Sequence, residues 1–264
     1  MSRDPLQPWF ERWRLEPDGE AFDGGTGRLA PVRVAGRPAM LKIFGSPDEA
    51  RGGRVLAWWA GEGAAEVLEH DDGAVLMARA SDSSPGPAEM ATAGRDDEAT
   101  SVLCTVVEAL HRPRGTPPPL GLPPLSHLFT KLIDRPQADA RLARAAAAAR
   151  ALLTEPRDAV VLHGDMHHFN VLDFGGGDWR AIDPWGYVGE RAYDYANIAR
   201  NPDLALATAP GRLERQLTVI AGRAGLDFDR LRAWTFAHAG LAAVWELEDG
   251  HDPSRSYAVL DALA

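Results

Sequence analysis

The sequence has very little cysteine, no long apolar run and no excess of basic residues. Cys104 is the single cysteine among 264 residues, which excludes an internal disulfide and a cysteine-based zinc site. No run of about 18 apolar residues occurs, and this argues against a transmembrane helix. Acidic residues outnumber basic ones by 38 to 28, for a formal net charge of −10, whereas nucleic-acid-binding proteins are usually basic. These absences predict a chain with no nucleic-acid or membrane partner.

The N-terminal residues carry an arginine, an aspartate and a proline and no apolar segment, so they do not resemble a secretory signal. We therefore expect a cytoplasmic protein. Apolar residues make up 45% of the chain, enough for a substantial core. The acidic surplus would attract cationic ligands, although a merely soluble surface explains it equally well.

Residues 1–80 have the pattern of a small β-rich lobe. Segments 29–34 and 39–44 are apolar and flank a turn, so we expect paired strands. Ser46, followed by a proline and by Glu49 three residues on, predicts a capped helix.

Residues 81–125 contain two loops rich in Pro, Gly and Ser, at 81–95 and 112–125, with a helix expected between them at 96–111. Residues 126–264 are mostly helical in pattern, with a helix expected at 138–153. The exception is 159–183, which reads as strand, loop, strand, turn, strand. Helices are expected to resume near residues 192, 211, 229 and 254. The fold class is therefore α+β, with two lobes and a cleft between them, the usual place for a ligand.

Three polar residues follow short apolar strands in this exceptional segment. Asn170 lies five residues after Asp165, and Asp183 follows thirteen residues later, after a predicted hairpin. Phosphoryl transfer needs a carboxylate to accept the nucleophile's proton and metal ions to neutralise the phosphates. Asp165 is the candidate catalytic base, and Asn170 and Asp183 supply the hard oxygen ligands that Mg²⁺ prefers. His163 is expected to brace the loop by hydrogen bonding.

This spacing resembles the catalytic loop of protein kinases, and Gly164 after His163 is similar to the aminoglycoside phosphotransferase variant of it. The longer run His-Gly-Asp-Met-His-His at 163–168, with Ile-Asp-Pro at 182–184, is similar to the streptomycin 6-kinase and hydroxyurea phosphotransferase subfamily. Weaker matches extend the resemblance from about residue 14 to about residue 252.

The resemblance implies a bilobal protein-kinase-like fold, with a nucleotide-binding lobe at 1–80 and a catalytic and substrate-binding lobe at 81–264. It implies transfer of the γ-phosphate of ATP (or GTP), with Mg²⁺, to a hydroxyl of a small cationic molecule such as the aminoglycoside streptomycin. Pro184 and Trp185 follow Asp183, and no long activation segment is present. This departure from protein kinases argues against a protein substrate, and no protein partner is implied.

Lys42 lies inside an apolar strand, where an unpaired charge is costly. The resemblance implies that it meets the nucleotide phosphates, although a lysine near a strand end can also extend to solvent. Such folds pair this lysine with a helix glutamate, for which Glu49 is the candidate. The capping pattern at Ser46 already explains Glu49 in another way.

Two further nucleotide contacts are implied by position. Gly25, Thr26 and Gly27 occupy the place of a nucleotide-covering loop, although a flexible hairpin turn has the same composition. Met77 and Arg79 follow a strand and resemble the hinge whose backbone contacts the purine, although an ordinary strand end fits as well.

The acidic segment at 245–252 lies where the resemblance implies substrate-binding residues. Glu246 and Asp249 are three residues apart and share a helix face, where they can pair with a cationic substrate; a solvated helix end is the alternative. Glu190 is a further candidate at the border of this site, and Asp194 is expected to anchor the neighbouring loop.

Two other functions compete with the kinase interpretation. A metal-dependent hydrolase would use the cluster of His163, Asp165, His167 and His168. A non-catalytic kinase-like binding module would explain the irregular glycine segment. The kinase interpretation is favoured because it accounts for Lys42 together with the three polar residues of the loop.

Overall fold

The computed structural model describes residues 4–24, 27–81, 83–134 and 138–264. Its N-terminal part is built on a six-stranded antiparallel sheet in the order β1-β3-β4-β6-β5, with β2 also paired to β3. The strands are β1 Glu16–Pro17, β2 Phe22–Asp23, β3 Gly27–Val34, β4 Arg37–Phe44, β5 Val67–Asp71 and β6 Ala74–Ala78. Helix α1 (Gln7–Trp13) packs Trp9, Phe10 and Trp13 against one face of this sheet.

Helix α2 (Pro47–Trp59) connects β4 to β5. It begins as expected, because the Ser46 hydroxyl accepts a hydrogen bond from the Glu49 backbone N–H at 3.3 Å. Its buried residues Val55, Leu56 and Trp59 belong to the core cluster that continues through the helical part. One face of the sheet therefore shares the core of the helical lobe beneath α2, while a separate apolar cluster fills the space between the sheet and α1.

The C-terminal part is mostly helical, which confirms the predicted α+β class. Among the described residues, no helix is both long and apolar enough to cross a bilayer. The helices are α3 Pro87–Thr92, α4 Asp96–Leu110, α5 Leu125–Leu128, α6 Thr130–Ile133, α7 Ala140–Thr154, α8 Ala192–Ala196, α9 Leu204–Ala207, α10 Arg212–Ala224, α11 Phe228–Glu248 and α12 Ser254–Ala262.

Two short antiparallel strand pairs stand between the sheet and these helices. Three of the four strands fall within 159–183, as predicted, and the fourth lies beyond that segment. Their strands are β7 Ala159–Leu162, β8 Val171–Asp173, β9 Trp179–Ala181 and β10 Tyr187–Glu190. β7 pairs with β10, and β8 pairs with β9. The backbone of Ala181 bonds to both Gly63 and Ala65 at 2.9 Å, so the β8–β9 hairpin is attached directly to the chain that follows α2.

Several short helices, among them α1, α3 and α9, were not predicted individually from the sequence. Helix α1 lies before the region assigned to secondary structure, and it owes its position to aromatic packing on the sheet rather than to a capping pattern. Helix α3 lies inside a segment predicted to be a loop. It begins at a proline, and Glu89 accepts a hydrogen bond from the Gly86 backbone N–H at 3.1 Å, which completes its N-terminus.

The helical lobe buries several polar side chains. Arg212 makes a two-point ion pair with Asp96, at 2.7 and 2.8 Å, which joins α10 to α4. His168 lies nearby and is 1% exposed, and neither of its ring nitrogens has a hydrogen-bond partner among the described residues. Burial lowers the pKa of His168 to about 3, with Arg212 acting in the same direction, so its ring is neutral at physiological pH.

Gly52 provides a test of the close packing between α2 and the residues after β9. A Cβ atom at this position would lie 1.8 Å from the Pro184 carbonyl oxygen, which requires the helix to move. We expect Gly52→Ala to reduce the free energy of unfolding by about 1–3 kcal/mol. Gly222→Ala, in helix α10 with nothing within 4 Å, is the matched control and should raise it by about 0.5–1 kcal/mol. Urea unfolding measures both, and equal effects of the two substitutions would contradict the packing argument.

His168 gives the stability of the protein a specific dependence on pH. Between pH 6.5 and about 3 the unfolded chain binds a proton at this residue that the folded protein does not. The free energy of unfolding therefore falls as the pH is lowered through this window. Between about pH 7.5 and about pH 6, the free energy of unfolding of His168→Leu should fall by about 1 kcal/mol less than that of the wild-type protein. His251→Leu, at an exposed position, is the control that should leave the pH dependence of stability unchanged. Urea unfolding at the two pH values measures the free energy of unfolding of both variants.

Candidate active site

The loop after β7 is held by a buried carboxylate from helix α8. Asp194 accepts hydrogen bonds from the backbone N–H groups of His163 (2.8 Å) and Gly164 (2.9 Å), and His111 Nε2 lies 2.8 Å from the same carboxylate. Gly164 has φ +88°, a conformation that favours glycine, and a Cβ there would crowd Trp185 and Tyr187. The predicted anchoring role of Asp194 is confirmed.

The His163 ring braces the next part of the loop. Its Nε2 lies 2.8 Å from the Ile182 carbonyl oxygen, and its Nδ1 lies 3.2 Å from the Asp165 backbone nitrogen. These partners fit a neutral ring in which Nε2–H donates and Nδ1 accepts. Burial lowers the pKa of His163, which keeps the ring neutral, and the ring stacks on Trp59 at a centroid distance of 6.3 Å. The predicted bracing by His163 is confirmed.

Asp165 lies at the surface of the cleft with several donors around its carboxylate. Asn197 Nδ2 donates to Oδ1 at 3.2 Å, and His167 Nε2 lies 3.4 Å from Oδ2. Burial raises the pKa of Asp165, but the hydrogen bond from His167 outweighs it and lowers the pKa to about 2. The carboxylate is therefore ionised at neutral pH, as a proton acceptor must be.

The β8–β9 hairpin brings Asn170 and Asp183 together, as expected. The Ile182 backbone N–H donates to the Asn170 carbonyl oxygen at 2.9 Å, and the Asn170 side-chain nitrogen donates to the Asp165 carbonyl oxygen at 2.8 Å. Asp183 has φ 58°, in the left-handed region that aspartate tolerates better than most residues. Its side chain is 41% exposed, so its oxygens face the cleft. Oxygen donors of this kind are those that Mg²⁺ prefers.

Lys42 reaches this pair from the sheet. Its side chain is 8% exposed, and Nζ contacts the Asp183 carboxylate and lies 3.3 Å from Glu49 Oε1. The other oxygen of Glu49 accepts a hydrogen bond from the Gly45 backbone N–H. Glu49 therefore pairs with the strand lysine, as the resemblance implied, while its second oxygen bonds to Gly45 rather than closing the predicted capping box on the Ser46 backbone.

The other residues predicted to contact a nucleotide have varied positions. Gly25 and Thr26 lie outside the described residues, while Gly27 begins β3, close to the Glu49 carboxylate. Met77 lies in β6 and is buried. The Arg79 side chain pairs with Asp18 at 2.5 Å, which ties the end of β6 to the chain after β1. Because the Arg79 side chain is engaged in this ion pair, only the Arg79 backbone is available for the predicted contact with the purine.

Two chambers that share lining residues open on the cleft. The reaction chamber, of about 360 Å³, is lined by Asp165 and by residues of the segment after α8, of α11 and of α12. The distal chamber, of about 500 Å³, lies between the start of α2 and the α5–α6 segment. Asp183 lines the distal chamber, and Asp249 lines both.

The two predicted substrate carboxylates have different surroundings. Glu246 lines the reaction chamber, but it already accepts a hydrogen bond from Ser256 at 2.6 Å and pairs with Arg200 at 3.4 Å and Arg255 at 3.7 Å. Asp249 is exposed, and no cation pairs with its carboxylate among the described residues. Asp249 is therefore the better placed of the two to meet a cationic ligand.

The prediction that Glu190 borders the substrate site is wrong. Glu190 pairs with Ala159 at the start of β7, whereas Asp165 follows the end of that strand. Its carboxylate is 3% exposed and makes a two-point ion pair with Arg230, with both distances 2.6 Å. A buried carboxylate needs such a partner, and this one joins β10 to α11 rather than serving a ligand.

Several residues of the site were not singled out from the sequence. Asn197 and Arg200 lie on the chain after α8, and His238 lies in the middle of α11, where nothing in the local pattern marks them. His238 is 2% exposed, and its Nδ1 has no hydrogen-bond partner within the described part of the chain. Burial, reinforced by Arg200, lowers the pKa of His238 to about 3, so it is a neutral group beside Asp165.

The geometry disfavours the metal-hydrolase alternative. His163 is committed to backbone partners, and His168 is buried away from the cleft. In the residues that the structure describes, no group of three or more His, Cys, Asp or Glu side chains is arranged to hold a metal ion.

Several phosphotransferases have sequences similar to this chain over most of its length. Streptomycin 3''-kinase of Klebsiella pneumoniae is 48% identical over 246 residues, covering 91% of this chain and 92% of that protein. Streptomycin 6-kinase of Streptomyces griseus is 31% identical, with 96% and 86% covered. Hydroxyurea phosphotransferase of Kitasatospora aureofaciens is 32% identical, with 97% and 76% covered.

Solved structures confirm the protein-kinase-like fold. The aminoglycoside phosphotransferase complex with ADP and hygromycin B superposes with a TM-score of 0.67 at 17% identity, covering 98% of this chain and 97% of that one. Ethanolamine kinase of Plasmodium vivax superposes with a TM-score of 0.64 at 15% identity, covering 95% and 82%. Residues 12–250 match a single family over almost the whole chain. The protein belongs to the aminoglycoside/hydroxyurea antibiotic resistance kinase family.

Proposed function

We propose that this protein transfers the γ-phosphate of ATP to a hydroxyl group of streptomycin or a closely related aminoglycoside. The observation that carries the proposal is the convergence of Asp165, Asn170 and Asp183 at one end of the cleft, with Lys42 reaching them from the sheet. The identity of 48% with a streptomycin 3''-kinase supports the acceptor and favours its 3''-hydroxyl over its 6-hydroxyl.

Asp165 acts as the base in this proposal. Its low pKa leaves the carboxylate ionised, and the Asn197 and His167 contacts orient it toward the reaction chamber. It accepts the proton of the acceptor hydroxyl as the oxygen–phosphorus bond forms. Because a carboxylate of such low pKa is a weak base, its main contribution is to position the hydroxyl in line with the phosphate.

Lys42 binds the phosphates of the nucleotide. In this structure it contacts two carboxylates, and the phosphates would replace the Asp183 contact while Glu49 continues to hold the ammonium group. The backbone at the end of β6, from Met77 to Arg79, would contact the purine.

Asn170 and Asp183 fit a magnesium site. The Asn170 side-chain nitrogen is used by the Asp165 carbonyl, which leaves the amide oxygen for a metal, and the Asp183 carboxylate is accessible. Mg²⁺ commonly takes few protein oxygens and completes its shell with phosphates and water. When bound, the ion would neutralise charge on the phosphates during transfer.

Incubation with streptomycin, ATP and Mg²⁺ tests the function directly. We expect the mass of streptomycin to increase by one phosphoryl group, and nuclear magnetic resonance to locate the phosphate on the 3''-oxygen. Phosphate on the 6-oxygen would show that the proposed position of phosphorylation is wrong and that the proposed reaction is right. Absence of any phosphorylated product, with hydroxyurea tested in parallel, would show that the acceptor assignment is wrong.

Asp165→Asn tests the catalytic base. The substitution keeps the size of the side chain but removes the proton acceptor, so kcat should fall by about 10²–10⁴ while the KM for ATP stays near the wild-type value. Thermal unfolding should show an intact fold. Glu190→Gln serves as a comparison: removing one charge of its buried ion pair should lower stability without a comparable loss of kcat. Unchanged turnover in Asp165→Asn would exclude it as the base.

A further inference from the structure

The side-chain amide of Asn197 meets the catalytic carboxylate in one fixed orientation. Its nitrogen donates a hydrogen bond to Asp165 Oδ1 at 3.2 Å. Its oxygen accepts hydrogen bonds from Arg200 Nη1 at 3.2 Å and from Asn201 Nδ2 at 2.9 Å. A reversed amide would turn its NH₂ group toward two donors and its oxygen toward a carboxylate, so all three contacts would be repulsive. The two donors on the amide oxygen therefore ensure that Asn197 donates to the base.

Arg200 is in turn held by helix α12. Its side chain is buried, and Nη2 donates to the Ser256 hydroxyl at 2.6 Å. The same hydroxyl donates to Glu246 Oε2 at 2.6 Å, so Ser256 bridges a buried cation and its counterion. Burial lowers the pKa of Arg200 to about 10, which leaves the guanidinium charged at neutral pH.

Helix α12 does not depend on this hydroxyl for its packing. Val259 and Leu260 are fully buried and belong to the main apolar core, and their burial is the stronger source of attachment. A hydrogen-bonded hydroxyl adds only modest net stability, but a network in which every member is satisfied holds its side chains in one arrangement. The arrangement held here ends at the catalytic base.

We propose that the Ser256 hydroxyl is a positioning group for the reaction, which acts through Arg200 and Asn197 on the direction of the catalytic carboxylate. This inference rests on the proposed function and extends it to α12, which lies beyond the matched residues 12–250. Ser256 is 0% exposed and cannot touch a bound acceptor, so any effect on turnover passes through its neighbours. Without the hydroxyl, the guanidinium turns toward its counterion, and the amide loses one of the two donors that orient it.

A double-mutant cycle tests this series of contacts. Ser256→Ala should lower kcat by about tenfold, because a small displacement of a catalytic group is costly, and should leave the KM for ATP near the wild-type value. Asn197→Ala should lower kcat at least as much. Because the serine acts through the asparagine, the double variant should be no slower than Asn197→Ala alone, whereas independent effects would multiply. Multiplied losses, or normal turnover in Ser256→Ala, would overturn the proposal.

Nuclear magnetic resonance detects the same link without turnover. The side-chain NH₂ signal of Asn197 is identified by its absence from the spectrum of Asn197→Ala, and it should shift in Ser256→Ala. An unshifted signal would overturn the proposal. Absence of a phosphorylated product from the wild-type protein would instead contradict the proposed function, so the two failures are distinguished.

Thr100→Val is the matched control. Thr100 is also fully buried, and its hydroxyl donates to Gln216 between α4 and α10 rather than toward the base. This variant should lose stability in thermal unfolding but keep its kcat and the position of the Asn197 signal. An equal loss of kcat would show that reduced stability alone explains the effect of Ser256→Ala. If Ser256→Ala does not fold, Ser256→Cys replaces it, because a thiol weakens both hydrogen bonds and still fills the site.

Discussion

The geometry of the site depends on one buried carboxylate. Asp194, fully removed from solvent, uses both oxygens to hold the backbone at His163 and Gly164, and His111 contacts it from the end of α4. A buried charge is tolerated only when polar groups around it compensate for the lost water, and here two backbone N–H groups of the loop do so. The direction in which Asp165 leaves β7 is therefore set by α8 and the end of α4 together with His163 and Gly164 of the loop.

The sequence predicted the fold well wherever local chemistry decides structure. The Ser46 cap, the hairpin at 171–181 and the start of α12 all follow from residue type and spacing, and the structure has them. The central contacts of the site were predicted for a similar reason: a short hairpin necessarily brings its two ends together, so Asn170 and Asp183 had to meet.

Prediction failed where packing between distant segments decides. Nothing local distinguishes Glu190, which is buried against Arg230, from Asp249, which faces the cleft. Their roles depend on which end of the β7–β10 strand pair Glu190 occupies and on the position of Asp249 at the end of α11. Asn197 and His238 escaped notice for the same reason, since each approaches Asp165 only through the tertiary arrangement of α8 and α11.

The position of Lys42 has a consequence for the order of events at the site. Its ammonium group already contacts Asp183, the carboxylate that the proposed mechanism assigns to the metal. A nucleotide arriving without its cation would separate this pair and leave its phosphates facing an uncompensated carboxylate, which is electrostatically unfavourable. A metal–nucleotide complex avoids that penalty by exchanging one cation for another beside Asp183. Lys42 thus serves as the counterion of Asp183 until the nucleotide binds. We therefore expect ATP and its metal ion to enter the cleft together, as one complex.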